Sequence, residues 1–491
     1  MNAAVYLDYA ATAPVEPRVA AYMAEVLARN LGNPAANHAA GRAALALIEE
    51  ARADVAALVG ADPRDITFTS GATEANNLAI EGTLRAAQRR QPHADHHVVT
   101  LATEHKSVLE PVRRLARNGV WTTLLQPDRE GRLAPDTLAA ALTPQTRLVT
   151  LLHVNNETGV AQDLAALAES CAARRVPLHI DACQSAGKLP LDVAGLAMVA
   201  FTAHKLGGPQ GIGALYVAPD HRGYLAPLMV GGGHERGLRA GTLATHQIAG
   251  FGMACRLARA ALPEAARRMA ALRERLWQGL GALPGVQLNG HPLRHAPHIL
   301  NVSFAGVEGE SLFRGLPGLA LSTGSACNSA SAEPSYVLRA LGRDTQQAQA
   351  SLRLSFGPRT TEAEIDAAIA QVAARYQHLR RLSPAQPPPQ FAIGACGLRY
   401  LGEAGAERLG TWVRLAAHVE GGFVKAASAQ VYGCPDTVAA CRLVCSRLTD
   451  QPISGPAVGT PEQWRTEVGA PVEKLGRMLI IEDALGALRP E

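Results

Sequence analysis

In Phe201-Thr202-Ala203-His204-Lys205-Leu206-Gly207-Gly208-Pro209 an apolar, strand-like run ends in His-Lys and passes at once into a Gly-rich turn. A lysine in that setting sits on a rigid strand end, desolvated enough to lower its pKa, with backbone room beside it. Those are the requirements of a Schiff-base lysine. An isolated lysine is more often a solvated surface charge; the strand before Lys205 and the glycines after it favour the buried reading.

Three further segments end apolar runs in the same manner. Ile180-Asp181-Ala182-Cys183-Gln184 places a carboxylate at a strand end, where it can pair with a protonated pyridine nitrogen or simply cap the next helix. Ser70-Gly71-Ala72-Thr73-Glu74-Ala75-Asn76-Asn77 opens a helix with small residues. Its backbone N–H groups and the Thr73 hydroxyl can approach a phosphate, although the pattern alone also fits an ordinary N-cap. Thr103-Glu104-His105-Lys106-Ser107 brings an imidazole to the same edge, able to stack on a ring or shuttle protons. A pyridine nitrogen paired with a carboxylate in this way is how a protein makes pyridoxal 5′-phosphate an electron sink.

Between about residues 15 and 250, helical patterns alternate with apolar runs at 65–69, 98–101, 148–153, 178–181, 198–202 and 213–217. That alternation predicts a large α/β domain with a mostly parallel sheet and active residues at its strand ends. Residues 251–382 carry a long helical stretch at 254–283, strand-like runs near 299–304 and 352–356, and a terminal helix from Thr361; with residues 1–14 they predict a smaller α+β domain. The proline-dense 383–390 reads as a semi-rigid linker. Residues 391–491 read as a separate C-terminal module, with strand-like alternation at 412–417 and 422–432 and helical patterns at 436–448 and 478–488.

Within Leu321-Ser-Thr-Gly-Ser-Ala-Cys327-Asn-Ser-Ala-Ser-Ala-Glu-Pro334, one cysteine stands among small polar residues that offer no apolar niche. Intracellular cysteines are commonly buried as small hydrophobes, but this composition favours an exposed, reactive thiol on a loop.

In this order the segments resemble the class V aminotransferase group of fold-type I pyridoxal-phosphate enzymes, and more closely its cysteine desulfurases of the NifS/IscS type. The resemblance spans about residues 4–382 and includes Leu7-Asp-Tyr-Ala-Ala-Thr-Ala-Pro14, Ser70-Gly-Ala-Thr-Glu74, Thr103-Glu-His105, His153-Val-Asn-Asn-Glu157, Asp181-Ala-Cys-Gln184, His204-Lys205, Gly231-Gly-Gly-His-Glu-Arg-Gly237 and Arg239-Ala-Gly-Thr242. It implies Lys205 as the Schiff-base lysine, Asp181 as the pyridine-nitrogen partner, Gln184 on the phenolic oxygen with Asn156 nearby, and His105 stacked over the ring. It implies phosphate ligands at Ala72, Thr73, Thr202 and His204, with Thr242 supplied by the second subunit of a homodimer. The stretch around Cys327 looks like that of the long-loop desulfurases, which implies Cys327 as persulfide carrier. Arg353 matches the residue expected to clamp the carboxylate of the substrate, L-cysteine, though a helix-surface arginine is the plain alternative. The implied reaction yields alanine and a persulfide for a sulfur-acceptor protein, in iron–sulfur cluster assembly or another thiolation pathway. Competing expectations are another class V reaction, such as transamination or cysteine-sulfinate cleavage, and a regulatory platform that binds the cofactor without turnover.

The C-terminal module looks similar to U-type (IscU/NifU-like) iron–sulfur scaffolds in Gln430-Val-Tyr-Gly-Cys434 and Pro471-Val-Glu-Lys-Leu-Gly-Arg-Met478. Only Cys434 matches that family's three cysteines cleanly; Arg408 or Leu409, Thr411, Gly476 and Arg477 stand at the other ligand positions. An arginine cannot ligate iron and one thiolate is too few, so no metal is expected there. Cys396 is an alternative first ligand, and Cys434, Cys441 and Cys445 on one helical face read either as packing or as soft-metal thiols. A degenerate scaffold that docks, or receives sulfur on Cys434, is the expectation.

The chain has 491 residues, 47% hydrophobic and 18% charged, with a formal net charge of +4 and no long basic run, so nucleic acid is not implied. Its eight cysteines lack the dense spacing of a disulfide framework. No run approaches membrane-spanning length, and a strand-like segment begins almost at the first residue, leaving no room for a signal peptide; a cytoplasmic protein is expected.

Overall fold

A computed structural model describes residues 4–323, 334–382, 398–406 and 411–491. Cys327, Cys396, Arg408, Leu409 and the proline-dense 383–390 lie outside the described residues.

The apolar runs become strands. In chain order they are Val5–Tyr6 (β1), Ile66–Thr69 (β2), His97–Leu101 (β3), Trp121–Leu125 (β4), Thr146–Leu152 (β5), Leu178–Asp181 (β6), Met198–Thr202 (β7) and Gly213–Val217 (β8). All but β1 form a seven-stranded sheet in the order β2-β8-β7-β6-β5-β3-β4. The sheet is mixed: β8 runs antiparallel to both neighbours, and the other pairs are parallel. Central strands are buried along their whole length, as expected where helices cover both faces. Because β2 runs with β3, β5, β6 and β7, the ends carrying Ser70, His105, Asn156, Asp181 and Lys205 fall on one edge of the sheet. That edge is where an open α/β sheet places its site.

Val286–Leu288 (β9), Ile299–Phe304 (β10) and Ser351–Ser355 (β12) form a second sheet, and β1 pairs in parallel with Leu319–Ala320 (β11). One helix, Thr245–Gly281, serves both units: Ile248, Phe251 and Cys255 belong to the core under the large sheet, whereas Met269, Leu272, Leu276 and Leu280 belong to the core of the small one.

Leu398–Ala406 (β13), Thr411–Glu420 (β14), Phe423–Tyr432 (β15) and Arg489–Pro490 (β16) form an antiparallel sheet in the order β15-β14-β13-β16. Strand β14 alternates, turning Val413, Leu415, Ala417 and Val419 into a core closed by the helices Pro435–Leu448, Pro461–Glu467 and Leu475–Gly486. This unit is docked on the small domain. Arg375, on the helix Glu362–Leu382, donates to the carbonyls of Ser311 and Gly469 and pairs with Asp436 at 3.3 Å. Arg477 and Lys474 reach Glu310 at 2.8 and 3.4 Å, and His378 Nε2 is 3.0 Å from the Val468 carbonyl.

Asp436 is wholly inaccessible to solvent. Arg375→Ala strands its charge, and breaking a buried pair from one side costs about 3–5 kcal/mol. Calorimetry should therefore show a lower melting temperature, and a melt matching the parent protein would show that the pair is not needed.

Among the described residues no helix is long and apolar enough to cross a membrane, and the six described cysteines are free.

Candidate active site

A cavity of about 1040 Å³ opens on the shared strand-end edge, lined by residues from the N-terminal segment, five strand ends and the small domain. Lys205 follows β7 in a short 3-10 turn. Its ammonium donates to the carbonyls of Ala10 and Ala11, and burial, with Arg353 nearby, depresses its pKa against the opposing pull of Cys183, Asp181 and Asp8. Asp181 ends β6 and is buried; Oδ1 accepts from the Cys183 N–H at 3.0 Å and Oδ2 from Asn76 Nδ2 at 2.7 Å.

The helix Ala72–Arg90 points its N-terminus at the cavity. Its N-cap, Gly71, brings no side-chain acceptor, so first-turn N–H groups are left for an anion. Gly71 has φ 156°, and Gly213 lies so close that a Cβ there would come within 2.7 Å of the Gly71 Cα. Ala72, Thr73, Thr202 and His204 line this corner. Thr202 Oγ1 donates to the Ile212 carbonyl at 3.0 Å, and His204 Nδ1 is 3.2 Å from Thr12 Oγ1. Burial, then Lys205 and Lys188, hold His204 down to about 4, so it meets the phosphate corner as a neutral ring.

Gln184 is buried and gives its amide to the Ala10 carbonyl at 2.8 Å, while Oε1 faces Lys188 Nζ at 3.4 Å and His298 Nε2 at 3.2 Å. Burial brings Lys188 down to about 7. Arg353, on β12, is held by Asp8 at 2.7 Å and by the Asn156 carbonyl at 2.9 Å, and its buried Nε has no partner. Each terminal nitrogen keeps a further N–H beyond the one used here, a donor set that a carboxylate can accept from.

A half-buried amine, a buried carboxylate on the same cavity and an uncapped helix end fit pyridoxal 5′-phosphate. The matching family model agrees: Aminotransferase class-V covers residues 5–368. The chain belongs to the class-V aminotransferase family. Over 389 residues it is 50% identical to the cysteine desulfurase IscS of Vibrio atlanticus, covering 78% of this chain and 95% of the relative. Among solved structures, a NifS-like protein covers 77% of this chain and all of its own at TM-score 0.71 and 31% identity. SspA in complex with cysteine covers 72% of this chain and 99% of its own at TM-score 0.64 and 34% identity. Class-V aminotransferases and cysteine desulfurases of this kind depend on pyridoxal phosphate, which is thus the cofactor of this family member.

The structure gathers Lys205, Asp181, His105, Gln184, Asn156, Ala72, Thr73, Thr202, His204 and Arg353 on one cavity. Thr242 is exposed and does not line it. Cys434 is buried far along the chain, at the N-cap of Pro435–Leu448, with Sγ 3.3 Å from Thr437 Oγ1. Cys441 lies on the inward face of that helix, where burial raises its thiol strongly; Cys445 is pushed up to about 12. Among the described residues no group of three or more His, Cys, Asp or Glu is arranged to hold a metal.

Sequence reasoning passed over Asp8, Asn76, Ser107 and Glu157, which act through other side chains. Two polar residues, Asn76 and Asn77, in the alanine-rich start of a helix were the available signal.

Glu157 carries a pH signature. Burial raises its pKa to about 7, against hydrogen bonding from Ser335 and the attraction of Arg353 and Lys106. Below its unfolded value near 4.5 both states are protonated and the contribution is complete; it is lost as pH rises through about 7, because ionisation favours the unfolded chain. Glu157→Gln should flatten that fall, worth about 3 kcal/mol, between pH 4.5 and 7 in denaturant melts. Parallel pH dependence in the two proteins would contradict it.

Proposed function

We propose that this chain is a cysteine desulfurase that converts L-cysteine to L-alanine and takes the sulfur as a persulfide on Cys327. The observation that carries the reading is the convergence of Lys205, Asp181 and Arg353 on a cavity whose wall includes Pro334 and Ser335, just downstream of Cys327. The extent of identity to the Vibrio atlanticus desulfurase supports it.

When bound, pyridoxal 5′-phosphate supplies the sink for charge released at the substrate α-carbon. Lys205 would hold it, Asp181 would face its pyridine nitrogen, and Gln184 and Asn156 its phenolic edge. Ala72, Thr73, Thr202 and His204 would receive the phosphate, joined by Thr242 from the second copy in a homodimer. The exposure of Thr242 supports that arrangement. Arg353, which lines the cavity, binds the substrate carboxylate through the terminal N–H groups that Asp8 and Asn156 leave unused. Lys205, kept toward its unprotonated form by burial, takes the α-proton. The Cys327 thiolate attacks the substrate sulfur: an S–S bond forms as Cβ–S breaks, the bonding pair stays with the carbon skeleton, a proton replaces the sulfur and alanine leaves. His105 handles a proton at Nε2, the ring nitrogen that Ser107 leaves free.

Residues 15–250 act as the cofactor domain, 1–14 with 251–382 as the domain carrying Cys327, 383–390 as linker and 391–491 as a degenerate IscU/NifU-like module. The Arg375–Asp436 and Arg477–Glu310 pairs hold that module against the rest of the chain, and its role is to dock a sulfur-acceptor protein or to receive sulfur. Sulfur transfer to Cys434 would require this buried thiol to be uncovered first. The final acceptor is a thiol protein of cluster assembly or another thiolation pathway, and the working compartment is the cytoplasm.

Sulfur-labelled cysteine tests the reading. Under reductant the protein should release equimolar alanine and sulfide, and without reductant peptide mapping should place the label on Cys327. A keto acid in place of alanine would assign a different class V reaction.

A further inference from the structure

Four buried or half-buried groups connect two walls of the cavity. His105 is the N-cap of the helix Lys106–Arg117, and its Nδ1 lies 3.1 Å from the Ser107 N–H and 2.8 Å from Ser107 Oγ. Asn76, wholly buried in the helix Ala72–Arg90, sets its Nδ2 2.9 Å from Ser107 Oγ and 2.7 Å from Asp181 Oδ2.

Hydrogen-bond direction determines where the protons lie. A backbone N–H only donates, so the capping contact makes His105 Nδ1 the acceptor and leaves the ring proton on Nε2. The Asp181 carboxylate accepts from Asn76, which fixes the amide orientation with nitrogen toward Asp181. The second hydrogen on Nδ2 then meets Ser107 Oγ. With Oγ accepting there, its one O–H is free to point at His105 Nδ1. The ring therefore faces two donors on one nitrogen, and adding a proton to Nδ1 would displace both. The helix N-terminus also opposes an imidazolium.

We propose that Ser107 and Asn76 are positioning residues that lock His105 as the Nε2–H tautomer and tie that ring to the carboxylate of Asp181. His105 then presents a proton-bearing nitrogen to the cavity. It enters the reaction as a hydrogen-bond donor, and a base role at Nε2 requires the network to break first. The charged groups around the ring are Asp181, which favours the imidazolium, and Lys205 and Lys106, which oppose it; with burial as the largest cause, the balance lowers the His105 pKa. This inference deepens the reaction proposed above and rests on it for the role of His105, but the tautomer is a property of the resting protein.

Holoenzyme labelled with 15N-histidine, studied by magic-angle-spinning spectroscopy with His105→Gln as the assignment control, tests it. The wild type should show protonated Nε2 and unprotonated Nδ1, unchanged from pH 6.5 to 8.5. In Ser107→Ala the His105 signals should move toward the imidazolium form at pH 6.5, kcat/KM should fall about tenfold, the worth of one buried hydrogen bond, and its pH profile should gain an acidic limb. Ser107→Thr, which restores the hydroxyl, should return both signatures. A wild-type Nδ1–H tautomer or imidazolium at pH 7.5 would overturn the proposal even if the variant failed to fold, and so would a Ser107→Ala spectrum and pH profile identical to wild type. Absence of desulfurase turnover in a wild type with the expected tautomer would instead overturn the reaction assignment alone.

Discussion

Lys205→Ala should abolish alanine production, a loss of about 10³-fold or more, without lowering the melting temperature. Lys205 is half-buried at the cavity wall and its charged form is disfavoured there, the largest cause being desolvation. Its polar partners are the carbonyls of Ala10 and Ala11; removing the amine takes away a desolvated charge rather than a core contact, so the fold does not depend on it. Borohydride followed by denaturation provides a second measurement. The parent protein should keep its cofactor through denaturation, attached to a peptide containing Lys205, and the variant should release it. Residual turnover near the parent rate would move the chemistry to another amine, for which Lys188, brought to about 7 beside Gln184, is the next in line.

The second large effect separates binding from sulfur removal. Cys327→Ala should still respond to cysteine by a change in the visible spectrum, because Lys205, Asp181 and Arg353 are untouched, yet sulfide release should drop to background, again about 10³-fold. Described residues on the downstream side of Cys327 are anchored to the large domain: Ser335 Oγ donates to Glu157 and the Tyr336 hydroxyl donates to the Glu104 carbonyl at 2.7 Å. Sulfide release at the parent rate would rule out a persulfide on this cysteine.

The parts most legible in the sequence were those whose burial leaves a continuous apolar run. Strands β3, β5, β6 and β7 are covered on both faces and read directly; the residues at their ends were identified for the same reason. Strand β4 was missed. It is the sheet edge, and Trp121 and Leu124 are exposed, so Trp-Thr-Thr-Leu-Leu carries neither an apolar run nor clean alternation. Strand β13 was missed because Leu398–Ala406 is rich in Gly, Ala and charge, and its pairing with β14 is fixed by the partner rather than by its own pattern. The contacts by which the C-terminal module packs on the helix Glu362–Leu382 were also not legible. Arg375, Glu310 and Asp436 are distant in sequence and each reads alone as an ordinary solvated charge, while Arg477 is read only as standing at a ligand position. The direction of the β8 strand is a matter of connection, and its five residues do not encode it.

The site cannot exist until distant parts of the chain have met, and this sets an order on its making. Asp8 braces Arg353, the carbonyls of Ala10 and Ala11 receive Lys205, and β1 is laid beside β11. Residues 5–11 thus wait for segments more than 300 positions later before their places are complete. Large-sheet contacts can form during synthesis, but the pocket wall closes only after β12 has emerged. Cofactor capture is accordingly an event of the finished catalytic unit, and a nascent chain truncated before residue 351 should not retain the cofactor on a ribosome column.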